Sequence, residues 1–212
     1  MSQLEISRLF NVGGELAEQV YAIYCASFPP SEQIDFSDIV SSVASGERLI
    51  FVAKKAGNAV GFALTMPLSC AYVHLLEYLA VTEKSRNQGI GSALLQYVAQ
   101  WLRTNENSIG ILIEVECPEE GTLEERTLRT RRINLYRRNG ADIVEHAPSY
   151  RMPDLSGEGS TRMNLMWLPV DKPSHMISGG ELRDCIVSIY TDAYQRSKDD
   201  PLLLSILQGL TA

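Results

Sequence analysis

The chain has 212 residues, 45% of them hydrophobic and 21% charged, with 19 basic against 26 acidic side chains and a net charge of −7. That suits one globular domain or a domain with an appendage, and not a disordered, collagenous or coiled-coil chain. An acidic chain without clustered positive charge is a poor nucleic-acid binder, no run approaches the roughly 18 uncharged apolar residues of a membrane span, and residues 1–5 carry neither the basic start nor the apolar run of a secretory signal.

In chain order, Leu4-Glu5-Ile6-Ser7-Arg8-Leu9 alternates as a strand does. A helix is expected after Gly13-Gly14, with Leu16, Val20, Ile23 and Tyr24 on one face; Phe28-Pro29-Pro30 stops it, because proline lacks a donor and restricts the residue before it. A short helix over 36–45 ends at Gly46. Residues 49–53 and 60–64 are predicted strands of a hairpin turning at Gly57-Asn58, a dipeptide suited to positive φ. Pro67 closes the second strand, and a third covers 72–81. A polar turn, 82–88, leads into a helix over 89–105, where Ile90, Leu94, Val98, Trp101 and Leu102 recur at the helical period. The next strand, 109–116, ends at Pro118, and Thr122-Leu123-Glu124-Glu125 fits a capping box with Thr122 at the N-cap. The helix it opens reaches Arg138, with Gly140 as terminator; strands at 141–145 and 163–168 follow, separated by a polar loop, 148–160.

The order β-α-α-β-β-β-α-β-α-β-β is an α/β (α+β) layout with one mixed sheet and flanking helices. Beyond it, Pro169, Pro173 and Gly179-Gly180 mark a linker, Leu182, Ile186, Ile189 and Ala193 form a helical stripe, and Asp200-Pro201 starts a final helix over 202–208. Residues 1–170 are expected to be the domain. Residues 171–212 are expected to be a helical tail that packs on that core or on a second subunit, as in a homodimer.

The informative stretch runs from Leu75-Leu76-Glu77-Tyr78-Leu79-Ala80-Val81 through Arg86-Asn87-Gln88-Gly89-Ile90-Gly91-Ser92. A buried strand enters a loop, and glycine-spaced residues open a helix. Amides at a helix N-terminus are unpaired and suit an anion, and glycine lets a phosphate come close. A dinucleotide fingerprint would need a third glycine where Leu94 stands, and the Gly-Lys-Ser/Thr of a P-loop is absent. What does fit is Arg/Gln-x-x-Gly-x-Gly/Ala, met by Arg86, Gly89 and Gly91. In this setting, with Leu135-Tyr136-Arg137-Arg138-Asn139-Gly140-Ala141 downstream, the chain resembles the GNAT superfamily of N-acetyltransferases over about residues 4–170.

The resemblance implies acetyl-coenzyme A as acyl donor. It implies that Leu79, Ala80 and Val81 meet the pantetheine arm as an added strand would, and that the amides of Arg86, Asn87, Gln88, Gly89, Ile90, Gly91 and Ser92 hold the pyrophosphate. It further implies that a backbone N–H near Leu79 polarises the thioester carbonyl, and that Tyr136 protonates the departing thiolate. Many relatives carry Asn seven and Ala four residues before this tyrosine; Arg129 and Arg132 stand there instead, and Ala141 replaces the usual aromatic.

An acceptor ammonium must lose a proton before it can attack, and a buried carboxylate can take it. Glu77, inside an otherwise apolar strand where several relatives place a catalytic glutamate, is the first candidate; the alternatives are a carboxylate paired with a nearby arginine or one at a solvated strand face. Glu114 and Glu116, two apart on one strand face, are further candidates as bases or as an ammonium subsite, or they are solvent-facing alternation. Glu32 could hold an amine or simply start a short helix, and His146 and Tyr150, in or beside the 148–160 loop, could contact substrate or simply be part of a polar loop. The arginines Arg126, Arg129, Arg131, Arg132, Arg137 and Arg138 read chiefly as a solvated helix face, with Glu125 and Arg129 as an exposed pair, though they could touch cofactor phosphates.

The three histidines are isolated, so no metal is expected, and no Gly-x-Ser-x-Gly or Cys/His pairing suggests covalent catalysis. Four cysteines far apart in sequence read as reduced thiols of a cytoplasmic protein. Direct acetyl transfer to a small cationic amine in a ternary complex is therefore the first expectation. A protein or peptide acceptor, or a non-catalytic acyl-coenzyme A-binding module, is the alternative.

Overall fold

A computed structural model of the chain describes residues 3–70, 72–155, 159–172 and 175–210. In chain order its strands are β1 (Leu4–Leu9), β2 (Leu49–Lys55), β3 (Asn58–Pro67), β4 (Val73–Val81), β5 (Gly110–Glu116), β6 (Asp142–Ile143), β7 (Arg151–Pro153) and β8 (Ser160–Pro169). The helices are α1 (Gly14–Ser27), α2 (Phe36–Ser45), α3 (Ile90–Asn105), α4 (Leu123–Arg138), α5 (Gly179–Ser188) and α6 (Pro201–Gln208). Across the sheet the strand order is β1-β2-β3-β4-β5-β8-β6, with β7 on β8. Every pairing is antiparallel except β4 with β5, which is parallel.

Period-2 alternation sends each strand's apolar side chains to both faces. One face carries Phe51, Leu76, Ile111, Ile113 and Met166, packed against Leu94, Leu95 and Val98 of α3 and Ile133 and Tyr136 of α4. The opposite face carries two cores. Ile50, Val52, Phe62 and Leu64 pack with Val20, Ile23 and Tyr24 of α1 and Ile39 of α2. Val73, Leu75, Leu112, Leu165 and Trp167 pack with Leu182, Cys185 and Ile186 of α5 and Leu203 and Ile206 of α6. Those five α5 and α6 side chains are each no more than 1% exposed, so the C-terminal extension shares a core with its own sheet.

Helix ends follow their capping chemistry. Asp35 accepts from the Ser37 N–H to start α2, Gly46 ends it at φ 85°, and Thr122 and Glu125 form the capping box of α4. Five details depart from the sequence reading. The β2–β3 hairpin turns at Ala56 (φ 48°) and Gly57 (φ 81°), so Asn58 is already the first residue of β3, opposite Lys55. The 148–160 loop contains β7; its residues 156–158 lie outside the described residues, as does Pro173 of the expected linker. Gly179-Gly180 is not linker but the first turn of α5, where Ser178 and Glu181 close a second capping box that offsets glycine's poor propensity. The stripe ending at Ala193 leaves α-geometry at a π-helical turn, Ile189–Ala193. The cysteines are not all remote either, since the Sγ atoms of Cys70 and Cys185, both free thiols, approach to 2.8 Å.

Two irregularities in β4 shape the site. Its pairing with β5 runs only from Val73↔Gly110 to Leu76↔Ile113 and then stops. Its register on β3 shifts between Leu64↔Tyr78 and Thr65↔Leu76, which leaves Glu77 as the extra residue of a bulge. The bulge reverses the alternation. Leu76 therefore packs in the core under α3 while Tyr78, two residues on, packs in the core under α1.

Candidate active site

Where β4 and β5 part, they bound a cleft open to solvent, with about 830 Å³ of empty space when the open solvent at its mouth is included. Leu76, Leu79 and Tyr136 line it from the α3–α4 face; Phe28, Ile34, Tyr78, Met163 and Tyr194 line it from the other, so the cleft passes through the sheet. The Thr82 N–H donates to Val60 O at 2.9 Å. Backbone groups alternate between the two edges of a strand, so those of Leu79 and Val81 point away from β3, toward the edge β5 leaves uncovered. Arg86 Nε donates to Val81 O at 3.3 Å, and Leu79 has no strand neighbour on that edge among the described residues.

At the end of β4 the chain turns through Asn87 (φ 60°) and Gly89 (φ 77°) into α3. Among the described residues the backbone N–H groups of 87–92 have no acceptor; the first bonded amide is that of Ala93, on Gly89 O at 3.0 Å. Unpaired amides in the turn before a helix and in its first turn suit an anion. Lys55 Nζ donates to Gln88 Oε1 (2.7 Å) and brings a cation to the turn. Asn139 Nδ2 donates to Ser92 Oγ (3.0 Å) and to Leu135 O (2.8 Å), tying the end of α4 to the first turn of α3.

Four glutamates line the cleft, each in a different electrostatic state. Glu77 is held by Arg48, whose Nε lies 2.8 Å from Oε2 and 3.1 Å from Oε1 and whose Nη2 lies 2.9 Å from Oε1; the two side chains are 6% and 11% exposed. Burial pushes the Glu77 carboxyl above its ordinary range, against the pull of the guanidinium. Glu116 pairs with Arg129 (2.7 Å) and Arg132 (3.1 Å). Glu114 has no cation partner among the described residues: Tyr150 Oη donates to Oε1 and Tyr194 Oη to Oε2, both at 2.6 Å. Burial raises its pKa, the two phenols oppose the rise, and the charge of Glu77 adds to it. The carboxylate of Glu32, on the 3₁₀ turn Pro30–Glu32, makes no hydrogen bond or ion pair among the described residues, and burial followed by the charge of Glu116 raises its pKa. The Tyr78 hydroxyl donates to Glu32 O at 2.7 Å and fixes that turn.

Tyr136 is 5% exposed and lines the cleft, and its hydroxyl has no partner among the described residues. Burial raises its pKa, so the phenol keeps its proton at neutral pH. Tyr150, expected at the acceptor, is instead fully buried and reaches the cleft only through Glu114. Arg129 is not an exposed partner of Glu125. Glu125 is taken by the cap, and Arg129 Nη1 reaches Glu120 O (2.6 Å) and Cys117 O (3.3 Å), pinning the loop after β5 to α4. Arg48 and Tyr194 were missed in the sequence. They stand 29 and 80 positions from their partners, and no local pattern signals either contact.

Residues 46–140 match the family described as acetyltransferase (GNAT) domain. No curated protein matches the chain in sequence. Among solved structures, one assigned to the GNAT acetyltransferases, from Bacteroides thetaiotaomicron, superposes with a TM-score of 0.68 at 21% identity over 85% of this chain and 93% of that one. An aminoglycoside 6′-N-acetyltransferase complexed with coenzyme A gives 0.60 at 20% identity over 78% and 97%. The ribosomal-protein-S18-alanine N-acetyltransferase of Escherichia coli gives 0.55 at 20% identity over 83% and 99%. At such identities the structural likeness concerns the fold.

Proposed function

We propose that this chain, whose residues 46–140 match the acetyltransferase (GNAT) domain, moves an acetyl group from acetyl-coenzyme A to the primary amine of a small cationic acceptor by direct attack in a ternary complex. The observations that carry the reading are a run of free amides where β4 turns into α3 and a cleft beside β4 in which two carboxylates, Glu32 and Glu114, have no cation partner among the described residues. The amides of 87–92, with Arg86 and Lys55 beside them, suit a pyrophosphate, and the open edge at Leu79 suits an extended amide-containing arm. The Leu79 N–H serves as donor to the thioester oxygen as charge develops there.

We assign proton acceptance to Glu114 in preference to Glu77. Protonating Glu77 would break a bidentate pair and leave Arg48 charged and unpaired in a buried site, which is strongly unfavourable. Glu114 offers a raised pKa, a free lone pair on each oxygen and no competing cation. It takes one proton from the ammonium, and the freed amine attacks the thioester carbonyl. Tyr136 gives its phenolic proton to the departing sulfur and regains one from the amide nitrogen, so the ammonium's second proton ends on the thiol. Glu32 steadies the cationic acceptor. Met152, Leu155 and Tyr194, which line the cleft together with Glu114, leave room that we read as fitting a small amine better than a peptide.

Release of free thiol from acetyl-coenzyme A across a panel of amines, amino acids, aminoglycosides and peptides tests the proposal. Amine-dependent release with small cations supports it. Release with peptides alone would make the acceptor a protein, and cofactor binding with no release for any amine would make the chain a binding module.

A further inference from the structure

The C-terminal extension does more than cover the sheet. After α5 the chain enters the π-helical turn Ile189–Ala193, and a wider turn changes the direction in which the next side chain leaves. That side chain is Tyr194, fixed by its N–H on Ile189 O (3.1 Å) and by the Arg196 N–H on Tyr190 O (2.8 Å). The turn is anchored to the β3–β4 connection, where Asp192 Oδ2 accepts the Ser69 N–H (2.9 Å) and the Ser69 and Ser188 hydroxyls meet at 3.0 Å. Tyr194 thus reaches the cleft and donates to Glu114 at 2.6 Å, while Tyr150 donates to the other oxygen from behind.

We propose that Tyr194, with Tyr150, is a positioning residue that keeps Glu114 ionised and aimed into the cleft, which makes the extension part of the acceptor site. The inference rests on the reading of Glu114 as the proton acceptor. A base must be charged at working pH, yet burial and the neighbouring Glu77, itself paired with Arg48, both favour the neutral acid. Short hydrogen bonds from two phenols favour the carboxylate. Neither phenol competes for the negative charge, since burial and the Glu114 charge push both well above the ordinary tyrosine range. With one lone pair of each oxygen occupied, the other is left for the acceptor's ammonium. The adjacent Tyr190 supplies a control: it packs against Tyr194 with ring centroids 5.9 Å apart, but its hydroxyl donates to Arg151 O and not to Glu114.

The test is the pH dependence of kcat/KM in the thiol-release assay for the full chain and four variants. Removing one donor raises the Glu114 pKa, so in Tyr194→Phe and Tyr150→Phe the acidic limb moves to higher pH by about one unit, as loss of a hydrogen bond to a charged group implies. On the alkaline plateau these variants stay within a few-fold of the parent, and Tyr190→Phe leaves the limb in place. A Tyr194→Phe profile superimposed on the parent's, or an equal shift in Tyr190→Phe, overturns the proposal. Glu114→Gln separates the two levels. If the acidic limb survives in it, the base assignment falls and this inference with it; if the limb disappears there but stays unmoved in Tyr194→Phe, only the positioning role falls. Should Tyr194→Phe not fold, Tyr150→Phe is read by the same criteria.

Discussion

The Arg48–Glu77 pair gives the sharpest structural prediction, because it separates a held carboxylate from a working one. Both side chains are nearly buried and meet through three contacts of 2.8–3.1 Å. Glu77→Gln keeps the shape but leaves the guanidinium charged with no counter-charge, a loss of about 3–5 kcal/mol. At about 2–4 °C per kcal/mol for a domain of this size, the Tm should fall by about 6–20 °C. Replacing both partners, Arg48→Met with Glu77→Leu, removes both charges and should return stability to within about 1–2 kcal/mol of the parent. Urea unfolding followed by the fluorescence of Trp101 and Trp167 reads both variants. An unchanged midpoint for Glu77→Gln would refute the claim that the pair is a buried ionic contact. The folded double variant should retain the acidic limb of its pH–rate profile; if that limb is gone, Glu77 and not Glu114 accepts the proton.

Four further outcomes follow from particular residues. Tyr136→Phe should lose roughly 10- to 10³-fold in kcat with little change in cofactor affinity, within the range of acid–base groups, and equal activity would remove its acid role. Gly89→Ala forces a φ of 77° on a residue with a Cβ; strain of about 1–2 kcal/mol should raise the KM for acetyl-coenzyme A more than it changes kcat, as steady-state kinetics will report. Glu114→Gln should stabilise the fold while lowering kcat/KM by roughly 10²- to 10⁴-fold. The folded state holds the Glu114 proton more tightly than the unfolded chain, so its stabilisation is complete below the ordinary carboxylate pKa of about 4.3 and is lost as pH rises through the raised value. The variant should therefore melt higher than the parent at alkaline pH and lose that margin in acid, and a lower Tm at both ends would contradict this sign. A chain ending at Val170 uncovers Val73, Leu75, Leu112 and Trp167 and should not recover as soluble monomer, which sedimentation will decide.

Elements with a local cause were readable in the sequence. The capping box at Thr122, the Asp200-Pro201 helix start, the Gly46 stop and the glycine-spaced turn after β4 each depend on residues within a few positions of one another. Ser178-x-x-Glu181 carries the same capping signal but was hidden behind Gly179-Gly180, whose usual meaning is a break. The bulge at Glu77 depends on register against β3, which hydrophobic pattern sets only to within a strand. The acceptor side was least legible. Glu32, Glu77, Glu114 and Glu116 were all visible as candidates, but their states come from Arg48, Tyr150, Tyr194, Arg129 and Arg132, residues that only the fold brings near. The extension looked like a cover because its stripe is apolar, and the polar tip of Tyr194 gave no sign of its direction.

The central claim is that acetyl passes straight from coenzyme A to an amine held in the same cleft. Initial rates of thiol release measured over a grid of acetyl-coenzyme A and amine concentrations test it most directly. Intersecting double-reciprocal lines, with no acetylated enzyme in the intact-mass spectrum, are predicted; parallel lines, or an acetyl group retained on the chain when amine is withheld, would contradict it.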